Sequence, residues 1–283
     1  MEAVPRETGF PSTDAQFDYS RARRRHVLST LGRRLRGQPG DVDLILPFDE
    51  VVEALGRVGE RSIGLKSIPL DSIVGTVGRG RDFDRAFRPV SGRTRTRWER
   101  IANAQRRGQD MPPISVYRIG DMHFVRDGHH RVSVARALGL SHIDAYVTEV
   151  RTMVGAEGTL TVGDLPVKSH ERLFFERVPI PFEARAEIAL SDPWRYAELA
   201  EGVEAWGFRL MQGSGELLHR DEVANAWLHD EYRPVVAMLR EADLIGDGTE
   251  TDSYLRVSGE RYRLMRTHEW NDEVIEKLRS ELR

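Results

Sequence analysis

The chain has 283 residues, 40% hydrophobic and 31% charged, with 42 Lys+Arg against 45 Asp+Glu, a length that suggests one large or two ordinary domains. A mean hydropathy of −0.48 and apolar runs no longer than residues 44–48 or 234–239 fall far short of the ~20 apolar residues that span a bilayer, so no membrane-spanning segment is expected. The absence of cysteine excludes disulfides, cysteine-ligated metals, iron-sulfur clusters and thiol catalysis. The first twenty residues lack the apolar stretch of a secretory signal, so the cytoplasm is the expected compartment.

The formal charge of −3 hides an asymmetry, because residues 1–150 carry 25 basic and 19 acidic side chains and the remainder carries 17 and 26. Nearly all the basic residues are arginine, which grips phosphate and carboxylate bidentately. A polyanionic ligand for the first half is one reading; solvated arginine-rich faces are the other.

In chain order, a leader over residues 1–14 precedes a basic helix over 15–36 that stops at Gly37, Pro39 and Gly40. Phe17, Val27, Leu28, Leu31 and Leu35 give that helix an apolar stripe, suited to docking on the domain body, while its arginines suit nucleic-acid contact. A short helix over 47–56 follows, then strands over 62–68 and 73–77, the second exiting through Gly75, Gly78 and Gly80. Residues 94–107 read as a helix with Trp98, Ile101 and Ala102 on one face. Pro112-Pro113 forces an extended entry into a strand over 114–119, and Gly120-Asp121 turns it into a strand over 123–126. Asp127-Gly128 opens a helix over 129–138, and 143–150 adds a strand. Residues 151–168 read as a linker, followed by helices over 194–206, 220–242 with a kink at Pro234, and 271–283. The expected organisation is N-terminal basic helices (1–59), a compact α+β domain (60–150), the linker, and a mainly α-helical C-terminal domain (169–283).

The site to which the residues point is Asp127-Gly128-His129-His130-Arg131, a strand end, glycine turn and helix start. Unpaired first-turn amides and the helix dipole make such a start an anion site, and Gly128 lets a ligand approach the backbone closely. His130 and Arg131 add donors for phosphate oxygens. The bland alternative is that Asp127 is only a helix cap worth ~1 kcal/mol and the histidines are surface polar residues. Residues 75–107 add ten arginines against Asp82, Asp84 and Glu99, a local balance of +7 that calls for a counter-anion. Gly75, Thr76, Gly78 and Arg79 form a second glycine-rich strand exit, expected to complete a phosphate cradle. Asp127 beside phosphates calls for a cation between them, with Mg2+ the natural candidate, or else serves as general base for an attacking hydroxyl. His219, His229 and His268 lack ligand spacing and read as surface histidines. Thr249, Thr251 and Asp252 read as a helix cap rather than a carboxylate site.

The runs Leu65-Lys66-Ser67-Ile68-Pro69-Leu70-Asp71-Ser72-Ile73, Met111-Pro112-Pro113-Ile114-Ser115-Val116 and Asp127-Gly128-His129-His130-Arg131-Val132-Ser133-Val134-Ala135-Arg136-Ala137-Leu138-Gly139 resemble the ParB/sulfiredoxin fold superfamily, over residues 60–150, about a third of the chain. That resemblance implies a small mixed sheet with helices and a phosphate-binding turn, with Gly128, His129, His130 and Arg131 as nucleotide-binding positions. Members include CTP-hydrolysing partitioning proteins, ATP-dependent sulfiredoxins and free-serine kinases. Sulfiredoxins carry a cysteine in this turn where His129 stands here, so sulfinic-acid reduction is excluded. Partitioning proteins usually have glutamate there and continue into a helix-turn-helix, which is not evident after Val150. The segment around Trp227 and Glu231-Tyr232-Arg233-Pro234 resembles an uncharacterised bacterial region that follows such domains and brings no known activity.

The expected function is therefore nucleotide binding, with a nucleoside tri- or diphosphate and Mg2+ as cofactors, and NTP hydrolysis or phosphoryl transfer to a small hydroxyl as the possible chemistry. A nucleic-acid-binding or nuclease-like module, and a catalytically silent adaptor with a protein partner or a second copy of the chain, are the alternatives.

Overall fold

A computed structural model describes residues 8–36, 44–78, 82–265 and 268–281. The chain divides into two units, Met1–Leu165 and Pro166–Arg283. Among the described residues, no helix is long and apolar enough to cross a membrane.

The first unit is α+β. Its elements run α1 (Pro11–Leu35), β1 (Leu46–Pro47), α2 (Phe48–Leu55), β2 (Arg57–Pro69), β3 (Ile73–Thr76), α3 (Arg95–Arg106), β4 (Ile114–Ile119), β5 (Met122–Asp127), α4 (His129–Ala137) and β6 (His142–Thr152). The strands form one six-stranded sheet in the order β1-β3-β5-β4-β6-β2. β3 lies parallel to β1 and β5, β4 runs antiparallel to β5 and parallel to β6, and β2 closes the edge antiparallel to β6. The sheet therefore begins at Leu46, ahead of the boundary expected at residue 60, and takes in part of the segment expected to hold only basic helices.

Local chemistry fixes the centre of this sheet. Gly120 at φ 58° turns β4 into β5 with Ile119 opposite Met122, the glycine-first turn that matches strand twist. Alternation along β5 then sends Val125 to one face and Phe124 to the other. Val125 joins Trp98 and Ala102 of α3, Val132 and Ala135 of α4, and Ile114 and Val116 of β4 in the main core. Phe124 meets Phe48 of α2 with ring centroids 5.6 Å apart, and Phe48 stacks on Tyr117 at 4.5 Å. Helices thus cover both faces of the sheet. The indole of Trp98 is fully buried and donates to Ser133 Oγ at 2.8 Å, joining α3 to α4.

The apolar stripe of α1 is not what docks. Val27, Leu28, Leu31 and Leu35 are more than half exposed, and Phe17 is 44% exposed. The inward face is Ala15, Tyr19 and Ala22 with the buried carboxylates Asp14 and Asp18. Small side chains let the helix come close, Tyr19 sits edge-on to Trp98 at 5.5 Å, and Asp18 accepts from Arg106 of α3 at 2.7 Å.

The second unit is helical: α5 (Leu165–Arg177), α6 (Arg195–Ser214), α7 (Arg220–Ala226), a π-helical turn (Trp227–Tyr232), α8 (Arg233–Glu241), α9 (Glu250–Met265) and α10 (Asp272–Glu281). The expected linker over 151–168 contains a capping box, Thr161 with Asp164, that leads directly into α5. Pro234 lacks an N–H and its ring crowds the carbonyl four residues back; a π-helical turn lies directly ahead of it, at the place where a kink was expected. Trp227, Tyr232 and Tyr254 form an aromatic cluster with centroids 5.1 to 5.8 Å apart, and Trp227 Nε1 donates to the Tyr254 hydroxyl. Thr249 and Asp252 exchange hydrogen bonds at the start of α9, which is the helix cap expected of them.

Candidate functional site

β5 ends at Asp127 and the chain turns through Gly128 into α4. Gly128 is the helix N-cap at φ 102° and ψ 17°, in the left-handed region. A β-carbon there would stand 2.4 Å from Ile114 Cγ2 and 3.2 Å from Arg131 Nε, so the turn requires glycine both for its dihedral and for room. No side chain caps this helix. Its own first bond runs from Val132 N–H to the Gly128 carbonyl, so the helix begins at Gly128 with the positive end of its dipole there.

A cleft of about 90 Å³ opens at this point, lined by Arg97 and Ile101 of α3 and by the continuous run Arg126 to Arg131. Arg97 and Arg126 are exposed. Arg131 is held from two sides: Nη1 donates to the carbonyls of Pro112 and Pro113, and Nη2 donates to Asp127 Oδ2 at 2.6 Å. The Asp127 carboxylate is 68% exposed. Its observed partner is therefore Arg131, and among the described residues no group of three metal-ligating side chains assembles.

The two histidines turn inward. His129 is 5% exposed and its Nε2 lies 2.6 Å from Thr76 Oγ1, with the ring nearly parallel to Phe83 and Phe87 at 6.4 Å. His130 is 7% exposed and meets Phe83 edge-on at 5.3 Å. His130 was expected to present an imidazole donor, the resemblance implied both as phosphate-binding positions, and the alternative put both on the surface; the structure buries both rings in an aromatic layer at the helix start.

The second glycine-rich exit plays a different part from the one expected. Gly75 is buried within β3, and a β-carbon there would lie 2.2 Å from Phe124 Cδ1 and 2.7 Å from the Leu46 carbonyl oxygen. Its small size admits Phe124, not a ligand. Thr76 is 1% exposed and reaches the site only through His129. Gly78 takes φ 77° in open space just beyond Val77, whose N–H donates to the Val125 carbonyl beside the end of β5. Arg79 lies outside the described residues.

Much of the local positive charge is used internally. Arg85 donates to the Gly158 carbonyl, Arg88 pairs with buried Asp84, Arg95 with Glu99, and Arg106 with Asp18. Arg136, expected only as part of α4, donates to the carbonyls of Leu70 and Ile73. The +7 balance read from the sequence therefore overstates what a ligand would meet. Arg93, Arg97, Arg100 and Arg107 are exposed. Behind the site, His123 of β5 accepts or donates at Ser72 Oγ over 2.9 Å, and burial beside Arg118 pushes its pKa down to about 4.

Sequence reasoning missed Arg97, Ile101 and Arg126 as cleft residues. Arg126 adjoins the motif, and Arg97 stands one residue before the core Trp98, so the helical period placed it at the edge of the buried face.

No protein-family profile matches the chain, and no curated protein matches it. Among solved structures, the crystal structure of sulfiredoxin from Arabidopsis thaliana is similar at 18% identity, over 31% of this chain and 86% of that one, with a TM-score of 0.24.

Proposed function

We propose that this chain binds a nucleotide and holds its phosphates at the start of α4. The observation that carries the reading is the uncapped first turn opened by left-handed Gly128, facing a cleft whose rim is Arg97, Arg126 and the anchored Arg131. The positive end of the helix dipole and guanidinium groups converge there on one anion-sized space. A cleft of about 90 Å³ suits a phosphate group, with sugar and base lying over the exposed surface around it. Asp127 offers one exposed carboxylate, and Mg2+ held there would complete its shell with phosphate oxygens and water. Hydrolysis, or transfer of a phosphoryl group to a small hydroxyl, would use the same placement.

The test is thermal stabilisation of the full chain by ATP, ADP, CTP and GTP, each with and without Mg2+, repeated with Arg131→Ala. Binding to the folded state alone adds about 2.7 kcal/mol at a hundredfold excess over Kd, which a melting shift reads. A shift with at least one nucleotide, lost in the variant, is expected; no shift with any nucleotide overturns the reading.

A second reading rests on exposed arginines in or next to the two packed helices α1 and α3, namely Arg23, Arg24 and Arg25 with Arg93, Arg97, Arg100 and Arg107. These suit the phosphates of a nucleic-acid backbone. It predicts affinity that falls steeply with salt, and no requirement for free nucleotide.

A further inference from the structure

The outer face of α1 presents adjoining aliphatic side chains to solvent. Leu28, Leu31 and Leu35 follow one another at helical spacing, which puts them in line on one side of the helix, with Val27 beside them. All four are more than half exposed, from 54% at Leu31 to 80% at Leu35. The side that docks on the rest of the unit is Ala15, Tyr19 and Ala22, continued by His26, whose Nδ1 lies 2.8 Å from Oδ2 of buried Asp84. At about 100° per residue, Leu28 stands about 200° round the helix from His26, so the leucines point away from the docked side. Single exposed apolar residues are ordinary, whereas several adjoining ones on one face mark a contact surface.

The charge around the stripe decides what it can contact. From Tyr19 to Gly40 the sequence has seven arginines and no acidic residue. Arg21 pairs with buried Asp18, while Arg23, Arg24, Arg25 and Arg36 are exposed. Two copies of this helix packed stripe to stripe would bring arginine against arginine, which like-charge repulsion opposes. A nucleic-acid backbone would answer the arginines and leave the leucines in water. An anionic bilayer answers both, because its head groups meet the guanidinium groups while the leucines enter the boundary with the acyl chains and the arginine stems lie along it. A helix docked by one side and apolar on the other presents a convex ridge, and a deformable surface can receive such a ridge without a matching groove.

We propose that the first unit attaches to anionic phospholipid bilayers through the outer face of α1, with Val27, Leu28, Leu31 and Leu35 inserted at the level of the head groups. This is attachment to a surface, distinct from spanning, for which no helix among the described residues is long and apolar enough.

The experiment is co-sedimentation of the full-length chain with vesicles of equimolar phosphatidylglycerol and phosphatidylcholine, against vesicles of phosphatidylcholine alone. Partition into the anionic vesicles should exceed that into the neutral ones by about tenfold or more, as expected of several arginines at a negative surface. Leu28→Gln combined with Leu31→Gln keeps helix propensity, and both positions are exposed, so the melting temperature should hold while partition falls by about tenfold or more. The changed residues are not on the lining of the nucleotide cleft, so nucleotide-dependent stabilisation should persist in this variant and the two proposals fail separately. No partition into anionic vesicles, or equal partition into neutral ones, would overturn the proposal. Undiminished partition of the leucine variant would also overturn it, reducing the contact to adsorption of the arginines. So would a dimer of the unchanged chain in sedimentation velocity that the leucine variant dissociates, since the stripe would then be covered by a second copy.

Discussion

Replacing Gly128 by alanine separates the two demands made on this turn. A β-carbon in the left-handed region costs about 1–2 kcal/mol. The same carbon would stand 2.4 Å from Ile114 Cγ2 in a core where Ile114 is fully buried, and forced overpacking of that kind costs about 1–3 kcal/mol. Together these give a loss of about 2–5 kcal/mol, or roughly 5–15 °C in the melting transition of a unit spanning Met1–Leu165. Ile114→Ala opens the space that the new methyl needs, so it relieves the steric part and leaves the dihedral part. The double variant should therefore be more stable than the sum of the two single losses by about 1–3 kcal/mol. Urea denaturation of the four proteins, followed by circular dichroism, measures this coupling. A loss below about 1 kcal/mol for Gly128→Ala, or additive effects of the two changes, would show that the turn tolerates a side chain and refute the close-approach argument.

His123 should make the first unit acid-sensitive. Its pKa in the folded chain is about 4, below the ordinary 6.5, so the unfolded chain binds the extra proton and stability falls as pH drops from about 6.5 to about 4. The loss between pH 7 and about pH 4.5 should reach about 2–3 kcal/mol, and a stability profile for His123→Gln that keeps the wild-type slope in that window would contradict it. Gly75→Ala should destabilise by several kcal/mol through contact with Phe124, whereas Gly78→Ala, with open space at its β-carbon, should cost only about 1 kcal/mol. Equal losses in denaturant midpoint would be evidence against a packing role for Gly75. Asp127→Asn should change stability by less than about 1 kcal/mol, because the Asp127–Arg131 pair is exposed on the carboxylate side, yet remove the Mg2+ dependence of nucleotide stabilisation. Retained Mg2+ dependence would take Asp127 out of the metal's reach.

The parts of this fold that could be read ahead of the structure are those whose causes are local. Gly120 turning β4 into β5, Gly128 opening α4 and Trp98 marking the inner face of α3 each act within a few residues of the element that they specify. The face of α1 was misread because leucines at helical spacing look like a core stripe, while Ala15 and Ala22 are what allow close packing and Asp14 and Asp18 what tie it to Arg106. Which arginines remain available was not legible either, because the carbonyls that occupy Arg131 and Arg136 lie 18 to 66 positions away in sequence. The direction of the two imidazoles depended on Phe83 and Phe87, in a loop whose path carries no periodic signal. The capping boxes at Thr161 and Thr249 were the available signs of α5 and α9; only the latter was noticed.

The hold of Pro112 and Pro113 on Arg131 affects when flexibility is lost. An arginine side chain carries about 2 kcal/mol of rotamer freedom, and here that freedom is surrendered as the strand entering β4 packs beside α4, before anything arrives at the cleft. The two prolines have fixed φ angles, so the carbonyls that receive the guanidinium sit on a segment with little freedom of its own. The direction in which Arg131 points is thus a property of the folded chain, and an anion entering the cleft would meet a guanidinium already held in one orientation.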